Sequence, residues 1–132
     1  VLRAMSDWSG AMLQRWDDGS IPTAVEAEIK ILRIGELVAV TLPFEAFHET
    51  GRRIKEIFGA RNTLVIGYAG TFGYLPSEAL YDRAGYEAGC AHKYYGYPGP
   101  FVKSAESVIL RGIEELSKRY ESAGGSDGTN AH

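Results

Sequence analysis

LVAVTLPFEAFHETGRRIKEIFGARNTLVIGY, residues 37–68, decides the fold. Leu37–Leu42 is an apolar run stopped by Pro43. Such a run fits a strand covered on both faces. Residues 45–58 change period. Phe47, Gly51, Ile54 and Phe58 fall on one face of a helix, while Glu49/Arg53 and Arg52/Glu56 stand four apart on the outer side. Gly59 stops the helix, as a glycine after the last turn does. Residues 63–68 then return to strand, led by Leu64, Val65 and Ile66. Strand, helix and strand in this order imply a parallel pair joined by a right-handed crossover.

Working outward, Val25, Ala27, Ile29 and Ile31 alternate with Glu26, Glu28 and Lys30, the period of a half-buried strand. The phase shifts at Leu32 and Ile34, which predicts a bulge. Gly35-Glu36 fits a two-residue type II′ hairpin turn, which needs glycine first. Strands over 25–34, 37–42 and 63–68 therefore share one mixed sheet. Further upstream, Val1, Met5, Trp8, Met12 and Trp16 form one helical stripe. No capping residue precedes Val1, so the chain reads as beginning inside a helix. Asp17-Asp18-Gly19-Ser20 and Pro22 end that helix. Downstream, Val102, Ala105, Ile109, Ile113, Leu116 and Tyr120 mark the stripe of a helix over 102–120. The expected class is α+β: a mixed sheet with a hairpin and a parallel βαβ crossover, covered by helices. Residues 1–121 form one domain or a portion of a larger one. Residues 122–132 are too polar to pack and are expected to be a disordered tail.

At 132 residues the chain is long enough for one domain with a core. A net charge of -3 and the lack of a basic stripe argue against a nucleic-acid partner. No apolar run approaches the roughly 18 residues of a membrane span, and no secretory signal is visible. The single cysteine, Cys90, cannot form an internal disulfide and reads as a structural thiol.

The chemistry concentrates between Asn62 and Tyr86. A short strand there runs into Gly67-Tyr68-Ala69-Gly70-Thr71-Phe72-Gly73-Tyr74, and tyrosines stand at 68, 74, 81 and 86. Glycines allow close approach, and a buried tyrosine seeks a partner for its hydroxyl. An aromatic loop packed over the core accounts for the same composition. Glu45 sits at a strand-to-helix junction, where the helix dipole favours an ionised carboxylate. That suits a metal ligand and equally a helix cap. Glu45 and His48 form an E-x-x-H pair, a spacing that ligates metals in some bundles. The histidines at 48, 92 and 132 are too few and too scattered for a complete site. No nucleophile elbow, P-loop or dinucleotide fingerprint is present. Residues 87–100, with Tyr94, Tyr95, Tyr97, Pro98, Gly99 and Pro100, read as a loop.

The order strand, Leu42-Pro43-Phe44-Glu45, helix, strand, Gly67-Tyr68-Ala69-x-x-x-Gly73-Tyr74-Leu75-Pro76, then Tyr86-Glu87 resembles the later part of the catalytic domain of neutral/alkaline, non-lysosomal ceramidases. The resemblance spans residues 27–120. It implies a zinc-dependent amide hydrolase of sphingolipid metabolism, acting on the N-acyl bond of ceramide or a related N-acyl substrate. In that family the equivalents of Glu45 and Tyr74 are zinc ligands, and the equivalent of Tyr86 lies beside the scissile amide. The remaining ligands are histidines from an earlier part of the domain, outside this chain. The 132 residues alone are thus expected to be inactive, to bind zinc weakly, and to pack against the rest of the domain or self-associate. Two departures stand out: Phe44 replaces the family's usual glycine, and Gly70 its usual asparagine. Either departure is compatible with a different substrate or with a lost activity. The alternative is a non-catalytic structural or assembly module of the same fold.

Overall fold

The computed structural model describes residues 2–70, 73–83 and 85–124. The fold is α+β. Helix α1 (Leu2–Asp17) precedes β1 (Lys30–Ile34) and β2 (Leu37–Thr41). Then come β3 (Glu45–Ala46), α2 (His48–Phe58), β4 (Thr63–Ile66) and β5 (Tyr74–Leu75). Short helices α3 (Glu78–Tyr81) and α4 (Tyr86–Gly89) and a 3-10 helix (Ala91–Tyr95) lead to α5 (Ala105–Gly124).

One sheet has the order β1-β2-β4. The β1–β2 hairpin is antiparallel and β2–β4 is parallel, with α2 in the crossover. Gly35 has φ 58 and Glu36 has no positive φ, which fits the type II′ turn. Strands β3 and β5 form a second, two-stranded parallel sheet. Val38, Val40 and Leu42 point into the core and meet Ile54 of α2 and Leu110 and Ile113 of α5.

Several expectations need correction. The first strand begins at Lys30, and residues 21–29 make no backbone–backbone hydrogen bond among the described residues. No bulge interrupts β1, because its ladder with β2 runs one to one from Lys30 to Ile34. Leu32 and Ile34 keep the phase of Lys30 and lie exposed, while Arg33 turns inward over the rings of Phe58 and Tyr120. A guanidinium stacks on aromatic faces well enough to hold an inward position. Strand β2 is covered on one face only: Val38 and Val40 are buried and Leu37 is exposed.

The helix expected over 45–58 starts at His48, because Glu45 and Ala46 are taken into β3. Of its expected inner stripe only Ile54 is fully buried, beside Thr50. Strand β4 stops at Ile66. The last helix runs 105–124, not 102–120. Its buried face is Glu106, Leu110, Ile113 and Ser117, whereas Val102, Leu116 and Tyr120 are exposed. Ser122 to Gly124 belong to this helix and not to a tail; residues 125–132 lie outside the described residues. The loop expected over 87–100 contains α4 and the 3-10 helix. Cys90 is exposed, so it is not a packed structural thiol. Among the described residues no helix is long and apolar enough to cross a membrane.

Helix α1 has the amphipathic stripe that its sequence implies, but none of its residues is fully buried. Trp8 is its anchor. The indole N–H donates to the Tyr97 carbonyl at 2.8 Å, the ring meets His92 edge-on, and Lys93 lies over its face.

Candidate functional site

Pro43 ends the β2 extension, and the chain then re-forms as β3 for two residues. Strand β5 follows Gly73 and is stopped by Pro76. In the β3–β5 ladder Glu45 is the direct partner of Tyr74, and Ala46 of Leu75. Paired residues of adjacent strands project to the same face. The ladder therefore sets the Glu45 carboxylate and the Tyr74 phenol side by side. Leu75 and Phe44, on the alternate positions, are buried. Phe44 meets Phe101 edge-on at 5.5 Å between ring centres.

Tyr86, the first residue of α4, brings its ring to 6.1 Å from Tyr74, edge to face. Glu45, Tyr74 and Tyr86 are thus gathered at one place. Glu45 does not stand at a helix N-terminus, so neither the helix dipole nor a capping role applies to it. The E-x-x-H pair is not formed on one helix. Glu45 is in β3, while the His48 side chain is 86 % exposed and pairs with Glu49 at 3.2 Å. His92 packs on Trp8.

Two further tyrosines complete the cluster. The Tyr95 hydroxyl donates to Glu45 Oε1 at 3.2 Å, and its ring lies edge-on to Tyr74. Tyr68 lies close enough to Glu45 for the carboxylate to raise its phenol above the ordinary value. Its backbone is left-handed, with φ 59, the one non-glycine residue among those described to have a positive φ. An aromatic residue rarely adopts that conformation, and such outliers concentrate at functional sites. Tyr94 closes the rim against Tyr86. Tyr68 belongs to the glycine-rich turn, so composition points to it. Tyr95 carries no comparable signal, since only the 3-10 turn after α4 brings it back to Glu45.

The carboxylate governs the protonation of the ring. Its negative charge is the main reason that Tyr74 is raised above the ordinary phenol value. The neighbouring Glu45 carboxylate is the main cause for Tyr68. Loss of hydration and then Glu45 push Tyr95 up to about 12. Tyr86 is raised chiefly by loss of hydration, with its Tyr94 neighbour second. The arrangement is one carboxylate beside several phenols, of which Tyr95 donates to it. Among the described residues, no three His, Cys, Asp or Glu side chains lie together as a metal centre would require.

No family model matches the chain, and no curated protein or solved structure matches it either.

Proposed function

We propose that the Glu45 cluster is the oxygen-donor half of a zinc-dependent amide hydrolase, resembling neutral ceramidase, that cleaves an N-acyl amide. The observation that carries this reading is the Glu45–Tyr74 register across β3 and β5. It sets a carboxylate and a phenol oxygen side by side, two hard donors of the kind that zinc accepts. The donor set fits two ligands, and among the described residues it has no imidazole, since His48 and His92 lie elsewhere. On this reading the nitrogen ligands are histidines outside these 132 residues.

Glu45 would hold the ion as an anionic ligand, and Tyr74 would ligate after losing its proton. When bound, zinc polarises a carbonyl and lowers the pKa of attached water to about 7. Tyr86 keeps its proton and donates to the oxyanion that develops on the amide. Tyr95 would orient the carboxylate through its hydrogen bond, as an outer partner of a metal ligand does.

The test is a zinc titration of the 132-residue chain followed by the ultraviolet difference spectrum of tyrosinate. Weak binding with a tyrosinate signal is expected. Tyr74→Phe should abolish the signal, and Glu45→Gln should weaken binding, since it removes charge and keeps shape. A titration without the signal, or one that neither substitution alters, sinks the metal assignment. In a polypeptide that also supplies the histidines, Tyr86→Phe should lower N-acyl hydrolysis by about 10²–10³-fold and leave zinc content unchanged, the effect of deleting one oxyanion donor.

The second reading is a non-catalytic assembly module. Edge-to-face packing of Tyr74 on both Tyr86 and Tyr95 favours it, because such contacts hold a structure together without any ligand. Under that reading zinc leaves the tyrosine spectrum unchanged.

A further inference from the structure

Strand β1 is the edge of its sheet, with β2 on one side only. Residues 21–29 before it make no backbone–backbone hydrogen bond among the described residues, yet they keep the alternation of a strand: Val25, Ala27 and Ile29 are half-buried and Glu26 and Glu28 exposed. The inner side chains are covered from within the chain, with Val25 and Ala27 lining a cavity beside Phe44 and Phe101 and Ile29 packed on the core, but their backbone groups are not. A strand that carries one-sided burial and unpaired backbone is a template for another strand.

The hairpin fixes which backbone groups are free. Ile34 and Leu37 flank a two-residue turn, so they face each other across a turn hydrogen bond. By the period of two, Leu32 and Lys30 also direct their N–H and C=O groups to β2. Ile31 and Arg33 therefore direct theirs to the open edge, and continuing the same parity does so for Val25, Ala27 and Ile29.

We propose that this edge pairs antiparallel with the same edge of a second copy of the chain, about a two-fold axis through Ile29. The two three-stranded sheets would join into one. On the core side Ile29 meets Ile29, Ala27 meets Ile31, and Val25 meets Arg33. Ile29 and Ile31 already pack against the core cluster, so the two cores become continuous. On the outer side Glu28 of each copy faces Lys30 of the other, and Glu26 faces Leu32. Within one chain Lys30 and Glu28 pair with each other at 3.0 Å on the surface, 67 % and 75 % exposed, so both charges can exchange partners across the axis.

Charge selects the register. An axis through Lys30 sets Lys30 opposite Lys30, and an axis through Glu28 sets Glu28 opposite Glu28. Like charges directly opposite destabilise a strand pair. An axis between two residues pairs inward with outward side chains and mismatches the free hydrogen-bonding groups. The register through Ile29 brings two opposite-charge pairs and no like pair. The dimer is isologous and leaves no free edge at β1. It does not depend on the metal reading, since Glu45 and the tyrosines are on other strands.

Charge exchange tests it by sedimentation velocity. The wild-type chain should show a concentration-dependent dimer. Glu28→Lys puts lysine opposite lysine, and Lys30→Glu puts glutamate opposite glutamate, so each should dimerise about tenfold more weakly. Mixing the two variants should restore pairing as a heterodimer, and the double exchange should restore the homodimer. Circular dichroism checks that each variant is folded. Hydrogen exchange should protect the amides of Ile29, Ile31 and Arg33 in the dimer and release them in either single variant. A wild type that stays monomeric overturns the proposal. So does a dimer indifferent to both single exchanges, or a pair of single variants that fail to associate with each other.

Discussion

Gly73 shows how one residue builds the site. Its φ is 73, and a Cβ there would lie 2.7 Å from Cδ2 of Tyr95. Its carbonyl accepts the Glu45 N–H at 2.9 Å, the bond that starts the β3–β5 contact. Gly73→Ala should therefore displace the Tyr95 ring and cost about 1–3 kcal/mol through the left-handed backbone alone. Thermal denaturation reads the loss, and the near-ultraviolet spectrum reads the tyrosine shift. Tyr95 itself makes a pH prediction. Its phenol is raised from 10.0 to about 12, so the folded chain holds this proton more tightly than the unfolded chain does. That contribution is complete below about pH 10 and is lost as pH rises to about 12. Tyr95→Phe should flatten alkaline unfolding over that window, and an unchanged profile would contradict the assignment.

Among the elements, α5 is tied to α2 and α3 through a side chain that periodicity did not flag. Glu106 is 1 % exposed. It accepts the Thr50 hydroxyl from α2 at 2.7 Å and the Glu78 N–H at the start of α3 at 3.0 Å. Ser77 gives α3 no side-chain cap, so Glu106 serves that end from across the fold. Ser107 bonds the Glu78 carboxylate. Glu106→Ala leaves buried donors without an acceptor and should cost about 1–3 kcal/mol per lost partner, measured by urea denaturation. Equal stability of Glu106→Ala and wild type would remove this role. The missed residue explains the missed helix face. An apolar template looks for Ile109, Ile113 and Leu116, whereas the true face begins with a glutamate and ends with a serine. The hairpin, the parallel crossover and the pairing of Arg52 with Glu56 at 2.7 Å were legible, because each rests on local spacing. Strand β3 was not. Glu45 and Ala46 have no strand pattern of their own, and only pairing with Tyr74 makes them one. The place where Glu45, Tyr74 and Tyr86 meet was legible in outline from order and resemblance, and Tyr95 was not.

Over the whole molecule, apolar side chains divide unevenly between inside and outside. Ile54 and Ile113 are fully buried, while Leu32, Ile34, Leu64 and Ile66 are each 45 % exposed or more on the outer face of the sheet. Leu32 and Leu64 are both partners of Ala39, so this face is contiguous across three strands. Ile113→Ala should cost about 2–5 kcal/mol. Leu64→Lys should stay within about 0.5 kcal/mol, as surface changes do, and should lower the binding of a hydrophobic dye. A large loss of stability for Leu64→Lys would mean that this face is covered.

The two-residue ladder between Glu45 and Tyr74 has a consequence for the order of folding. Helix α2, strand β4 and the glycine-rich turn all lie between its two strands. The hairpin needs only a short loop closure, whereas this pairing needs the crossover to be in place first. In refolding, backbone signals should therefore recover before the near-ultraviolet signal of the tyrosines. The site would be the last part of the chain to become native, and the first to come apart under mild denaturant.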